Sequence, residues 1–540
     1  MRLDRNGLAD RAAWEAAGIK TPAYDRETMI RATAANPRWL HFGTGNIFRA
    51  FIAPLQQRLL NEGLTDTGII AASGYDHEVV ERIYGPHDGL ILSVGLQADG
   101  GTRAEVVASV AEFLRADEDR KRLLEIARSP SLQIVSLCIT EKGYALTDMK
   151  GELLEPARRD MEEGPGSARH TMSLTASLLL ERYGAKAGPV ALLSLDNCSR
   201  NGDRLKDSVL RVARAWAERG FADEGFIGWL ESEAVAFPWS MIDKITPRPS
   251  EAVRDELTRR GVEGMDLLLT KKGTYAAPFV NAEVPEYLVA EDRFPGGRPP
   301  LEKAGVYFTD RRTVENVERM KVTVCLNPLH TALAVCGCLL GYEGIAEEMK
   351  NPLLKALVER IGYAEGLPVA PNPGIFSPRD FLREVLEERV VNPFIRDTPQ
   401  RIATDTSQKI PIRYGETIKA YMKTPGLRAS DLVGIPLAIA AWFRYLLARD
   451  DKLRPMELSK DPLLEELRGG LAGIEPGRPE TYSGQLRPFL RNPALFAADL
   501  FEAGLGEKIE GFFVSMLAGE DAVSRTLAAA LDGRENPGEK

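Results

Sequence analysis

Pro37 to Ala50 reads P-R-W-L-H-F-G-T-G-N-I-F-R-A: a short apolar run, a G-x-G turn at Gly43 and Gly45, and a helical pattern that continues to Leu60. In a strand-turn-helix the first glycine allows the tight turn, and the second lets backbone amides approach a pyrophosphate resting on the helix N-terminus. Gly43, Gly45, Asn46, Ile47 and Phe48 are the residues that would line it, with Phe48 standing where the usual fingerprint has a third glycine. A lone G-x-G is a weak signal. The next apolar run, Thr67 to Gly74 (T-G-I-I-A-A-S-G), strengthens it by placing Asp76 at the end of a second strand. A carboxylate there accepts hydrogen bonds from ribose hydroxyls and repels a phosphate, which favours NAD(H) over NADP. Asp76 could equally cap a helix starting at His77.

Two further apolar runs read as buried parallel strands. Leu132 to Thr140 is followed by Glu141, and Val190 to Leu195 by Asp196-Asn197. Open α/β sheets bind ligands outside the carboxyl ends of their strands, so Thr140, Glu141 and Asn197 fall where cofactor and substrate would meet. As plain loop residues they would be turn formers.

Lys321 to His330, K-V-T-V-C-L-N-P-L-H, runs into the apolar stretch Thr331 to Tyr342. An ammonium, a primary amide and an imidazole at the mouth of a buried segment supply a proton acceptor, an alkoxide stabiliser and an orienting group, a combination that suits oxidation of an alcohol. If Leu326 to Tyr342 is one helix, Asn327 and His330 share a face in its first turns, where the backbone dipole favours negative charge. The competing reading is a core histidine, a helix cap and a solvated lysine.

These segments resemble the mannitol dehydrogenase family of polyol-specific long-chain dehydrogenases and reductases. H-F-G-T-G-N-I-F-R-A at 41–50, T-E-K-G-Y at 140–144, S-L-D-N-C-S-R-N-G at 194–202 and F-P-W-S-M-I-D-K-I-T-P at 237–247 match in family order. E-D-R-F-P-G-G-R-P-P at 291–300, E-R-M-K at 318–321, N-P-L-H at 327–330 and R-I-A-T-D-T-S-Q-K at 401–409 follow. The resemblance implies a metal-independent enzyme that uses NAD (NADH) to interconvert a secondary alcohol and a ketone on an open-chain sugar derivative. By that likeness Lys321 is the general acid/base, Asn197 and Asn327 donate to the reacting oxygen, and His330 orients the substrate. Asp243, Arg401 and Lys409 would line the substrate pocket, Glu318 would relay the proton, and Asp76 would hold the cofactor ribose.

The spacing from Lys321 to Asn327 is one residue longer than in mannitol-type members, and a bulge at the helix start would absorb it. Val324 to Tyr342 and Asp405 to Ile412 look more like the uronate-handling branch, so the expected pair is D-mannonate and D-fructuronate. Arg401 and Lys409, with Lys244, could face a substrate carboxylate or be structural ion pairs. The alternatives are tagaturonate reduction, a neutral-polyol (mannitol or arabinitol) dehydrogenase, and, in a different class, a catalytically silent dinucleotide-binding regulator. A lysine acting as the base must be neutral to accept the hydroxyl proton.

With 540 residues, 44% apolar and 27% charged, the chain can fill two or three domain cores. The expected fold is α/β: a Rossmann-type dinucleotide-binding domain over 1–300 with a helical preface to about residue 35, then a mainly α-helical substrate domain over 301–540. Its five cysteines and five histidines form no metal-ligand spacing, so no metal is expected. The N-terminus lacks a secretory apolar region, no uninterrupted apolar run reaches membrane-spanning length, and the net charge is −9. A cytoplasmic monomer or small homo-oligomer with a small-molecule substrate is expected, with no nucleic-acid or membrane partner.

Overall fold

The computed structural model describes residues 1–148, 150–395 and 397–532. The chain divides into two compact units, Met1–Gln97 with Gly101–Glu315, and Ala98–Gly100 with Asn316–Lys540.

The first unit is built on six strands: β1 (Trp39–Phe42), β2 (Ile69–Ser73), β3 (Val110–Arg115), β4 (Ile134–Leu137), β5 (Val190–Ser194) and β6 (Val235–Ala236). Their order is β3-β2-β1-β4-β5-β6, with every neighbouring pair parallel. This is the strand order of the dinucleotide-binding fold, and its topological switch lies between β1 and β4. Every residue of β1, β2, β4 and β5 is buried, the mark of a parallel sheet covered on both faces. Leu40, Phe42, Ile70, Ala72, Val135 and Leu192 pack toward one layer, while Trp39, Ile69, Ala71, Ile134 and Leu193 pack toward the other. Helices α1 (Ala53–Asn61), α2 (Arg120–Arg128), α3 (Thr171–Gly184) and α4 (Asn201–Glu218) flank it. The preface also supplies an edge strand: Ile19–Lys20 runs parallel to Thr102–Val107 in a separate four-stranded sheet.

Arg182 fastens α3 beneath this sheet. Its guanidinium is buried and donates to the carbonyls of Ala127, Ser129, Leu132, Ala187, Gly188 and Pro189, so one side chain satisfies the entries to β4 and β5. Burial alone pulls it down to about 10, which leaves it charged at neutral pH. Arg182→Met keeps the apolar stem but strands these acceptors. We expect a loss of about 3 kcal/mol or more in urea unfolding followed by tryptophan fluorescence.

In the second unit the described regular elements are all helical. The helix α5 (Arg311–Met320), whose first five residues belong to the first unit, leads through a π-helical turn, Lys321–Cys325, into α6 (Asn327–Leu340), which packs on the fully buried α7 (Gly434–Tyr445). Gly341, at φ +78°, closes α6 in the left-handed conformation that glycine adopts without strain. Arg311–Leu340 as a whole is long and apolar enough to cross a membrane, but 83% of its most apolar window is buried inside the protein. Core packing accounts for its hydropathy. Further helices of this unit are Pro352–Glu359, Pro378–Glu384, Leu464–Gly470 and Ala522–Leu531, in keeping with the mainly α-helical domain expected from the sequence.

Candidate active site

The turn after β1 lies between the ends of β2 and β4. The Gly43 amide donates to the Ala72 carbonyl at 3.0 Å, and the Cys138 amide to Phe42 at 2.8 Å. Gly43 sits at φ +115°, and a Cβ there would come within 2.1 Å of the Cys138 carbonyl oxygen. Only glycine satisfies both conditions. Gly45 is the opposite case: a Cβ would meet nothing within 4 Å, so open space lies above the turn. The helical run begins at Asn46 and Ile47, and amides in such a first turn have no acceptor within the helix. Phe48, in place of the third glycine, is buried and stacks on His41 with ring centroids 4.4 Å apart. The helix widens into a π turn over Phe48–Ile52 as that ring enters the core. The Tyr84 hydroxyl donates to the Thr44 carbonyl at 2.6 Å and pins the turn from outside.

At the end of β2, Asp76 is 8% exposed and its Oδ2 accepts from the Thr270 hydroxyl at 2.6 Å. Asp76 occupies the N-cap position of His77–Val79, yet its side chain makes no capping bond. The capping alternative is therefore not what the carboxylate does. Thr270 comes from a small hairpin, Leu268–Leu269 with Tyr275–Ala276, whose Lys272 ammonium lies 4.3 Å from the Tyr75 ring centroid.

Beyond β4, Thr140 is exposed with φ +66°, an unfavourable conformation for a β-branched residue. Asp196, at the end of β5, holds it: its two oxygens accept from the amides of Ile139 and Thr140 at 2.8 Å each, and from the Tyr144 hydroxyl at 2.6 Å. Burial pushes the Asp196 carboxyl upward, and these hydrogen bonds oppose the shift. Glu141 is exposed and paired with Arg204 at 2.6 Å. Asn201 is 1% exposed and ties Ser194, Asp196 and Ser240 together. Asn197, between these two anchors, is exposed. Asp243 ends a short strand, Ser240–Asp243, and is buried. The neighbouring Lys244 is a structural ion pair, 2.6 Å from Glu286.

In the second unit Lys321 is 3% exposed and opens the π turn, with Glu318 three positions ahead on α5. The Leu326 amide donates to the Lys321 carbonyl at 3.1 Å, an i→i+5 bond. The residue in excess between Lys321 and Asn327 is thus taken up by one widened turn, as expected. Asn327 then starts α6 with Pro328, whose fixed φ suits the first turn. Among the described residues the side-chain amide of Asn327 and the ring of His330 make no hydrogen bond, which leaves both available to a ligand. Burial pulls the His330 imidazole down to about 4; Asp397 opposes this, while Arg389, Arg413 and Arg401 add to it. Arg401 is largely exposed and pairs with Asp397. Lys409 donates to the carbonyls of Ile402 and Thr404, and burial together with Arg413 lowers its ammonium.

Three residues escaped the reading of the sequence. Asp196 adjoins Asn197 at the end of its strand, and that position is its available signal. Thr270 is 194 positions from Asp76, with no pattern linking them. Arg413 follows Lys409 by four residues and touches the start of α6: Nη1 donates to Thr331 Oγ1 at 2.6 Å and to the Asn327 carbonyl at 3.4 Å. Among the described residues no three His, Cys, Asp or Glu side chains converge as a metal site.

Residues 37–303 match the mannitol dehydrogenase Rossmann domain, and residues 313–481 the mannitol dehydrogenase C-terminal domain. A D-mannonate oxidoreductase of Thermotoga maritima is 52% identical over 99% of this chain and 100% of its own length. Among solved structures, a mannitol 2-dehydrogenase of Pseudomonas fluorescens in ternary complex with NAD and D-mannitol is 26% identical, with a TM-score of 0.69 over 99% of this chain and 100% of that one. A D-sorbitol dehydrogenase in substrate-free form, 24% identical, has a TM-score of 0.79 over 95% of this chain and 98% of that one, a likeness of fold.

Proposed function

Since the chain belongs to the mannitol dehydrogenase family, we propose that it is an NAD-dependent oxidoreductase interconverting D-mannonate and D-fructuronate. The observation that carries the substrate choice is the full-length 52% identity to the Thermotoga maritima enzyme.

The residues of the first unit fit a dinucleotide. The open space over Gly45 and the free amides of the helix start suit a pyrophosphate, and Asp76, with one oxygen tied to Thr270, keeps the other for a ribose hydroxyl. When bound, NAD supplies the hydride acceptor. In the oxidative direction the carbinol proton passes to the Lys321 amine as the carbon–oxygen bond becomes a carbonyl, and Glu318 relays it outward. Asn327 donates an amide hydrogen to the reacting oxygen, and Asn197 is proposed as an amide donor on its match to the family pattern. His330 stays neutral above about pH 4 and so orients the substrate as an uncharged imidazole. Asp243 accepts from substrate hydroxyls. We place the enzyme in the cytoplasm as a monomer or small homo-oligomer; its net charge of −9 speaks against a nucleic-acid partner.

The test is NADH consumption, followed by absorbance, with fructuronate, tagaturonate and fructose offered in parallel. Turnover of fructuronate far above the others is the expected result. Tagaturonate as the preferred substrate moves the assignment to the epimeric enzyme, and fructose to a polyol dehydrogenase. Silence with all three, despite NADH binding, would establish a regulatory protein instead.

A further inference from the structure

We propose that Arg413 recognises the carboxylate of the sugar acid. The proposal rests on the mannonate/fructuronate reading and adds the group that selects an acid over a neutral polyol. Asn327, His330 and Thr331 lie on one face at the start of α6. Arg413 reaches that face with a single nitrogen, Nη1, which bonds Thr331 Oγ1 and the Asn327 carbonyl. Its Nε and Nη2 make no hydrogen bond to any described residue, and no carboxylate among the described residues pairs with it. The neighbouring cations differ. Arg401 is neutralised by Asp397, and the Lys409 ammonium is turned onto two main-chain carbonyls. Arg413 is therefore a half-buried positive charge with an open planar fork beside the amide and imidazole assigned to the substrate. A carboxylate accepts two parallel N–H bonds from such a fork, whereas a hydroxymethyl group offers neither the charge nor the second acceptor.

Fructuronate and fructose differ at this point by a carboxylate against a hydroxymethyl group, as do mannonate and mannitol. Arg413→Met is expected to raise KM for fructuronate by about 10- to 100-fold. The fructuronate-to-fructose ratio of kcat/KM should fall by a similar factor, and Arg413→Lys should recover part of it. Calorimetric titration of the NADH complex with D-mannonate and with D-mannitol reads the same discrimination without turnover. A Met variant that is slower on both sugars, with the ratio unchanged, assigns Arg413 a packing role and overturns the inference while leaving the function intact. A wild-type protein that neither turns over fructuronate nor binds mannonate overturns the functional reading, and this inference with it.

Discussion

Lys321→Ala is expected to lower kcat by about 10²–10⁴-fold, the usual contribution of a positioned general acid/base, while NADH affinity stays nearly unchanged. The separation of effects follows from the fold. Lys321 opens a π turn in the second unit, and the groups that fit the dinucleotide, Gly43 to Phe48 and Asp76, belong to the first. Steady-state rates with fructuronate give kcat, and quenching of NADH fluorescence gives the affinity. Lys321 is buried, so the substitution leaves the protein surface unchanged. A melting temperature close to wild type would tie the lost rate to lost chemistry. Lys321→Arg should not rescue, because a guanidinium stays protonated and cannot accept the carbinol proton. An alanine variant with ordinary turnover would remove lysine from the mechanism.

Asn327→Ala should reduce kcat by about 10²–10³-fold, about 2.7–4 kcal/mol of barrier, with a much smaller change in KM. Its side-chain amide has no partner among the described residues, so the variant breaks no bond of the folded state. Alanine is also tolerated at the first position of a helix, and Pro328 preserves the backbone entry. The penalty then belongs to the reacting oxygen alone. A drop in kcat accompanied by an equal loss of stability would show Asn327 to be a helix-start residue with no part in the reaction. Asn327→Asp is expected to be worse than alanine, since a carboxylate there faces a developing alkoxide.

Much of the first unit could be read from short-range pattern. A G-x-G between an apolar run and a helical pattern specifies its own turn, because a residue with a Cβ cannot hold φ +115° against the Cys138 carbonyl. Buried strands announce themselves as continuous apolar runs, which is why β2, β4 and β5 were found. β3 lacks that mark, because V-A-E-F-L-R carries a glutamate and an arginine and is only partly buried. The same reasoning located Asn327 and His330, whose three-residue spacing puts them on one face wherever the helix goes.

The π turn marks the border between the two kinds of information. Counting residues from Lys321 to Asn327 revealed one in excess. Its fate depended on whether the Leu326 amide bonded five residues back or the helix broke, and that choice is made by the packing around it.

Residue type and spacing along the chain thus determined the strand-turn-helix, the parallel sheet, the helical second unit and the polar trio at the head of an apolar helix, since each depends on contacts within a few positions. Tertiary structure alone decided that Thr270 holds Asp76 from 194 positions away, that Asp196 restrains Thr140, and that Arg413, with Arg401 and Lys409 otherwise engaged, has no carboxylate partner among the described residues beside Asn327. The physical reason is that ionic and hydrogen-bond partners are settled by which side chains the folded backbone brings within about 3 Å, and no local pattern records that distance.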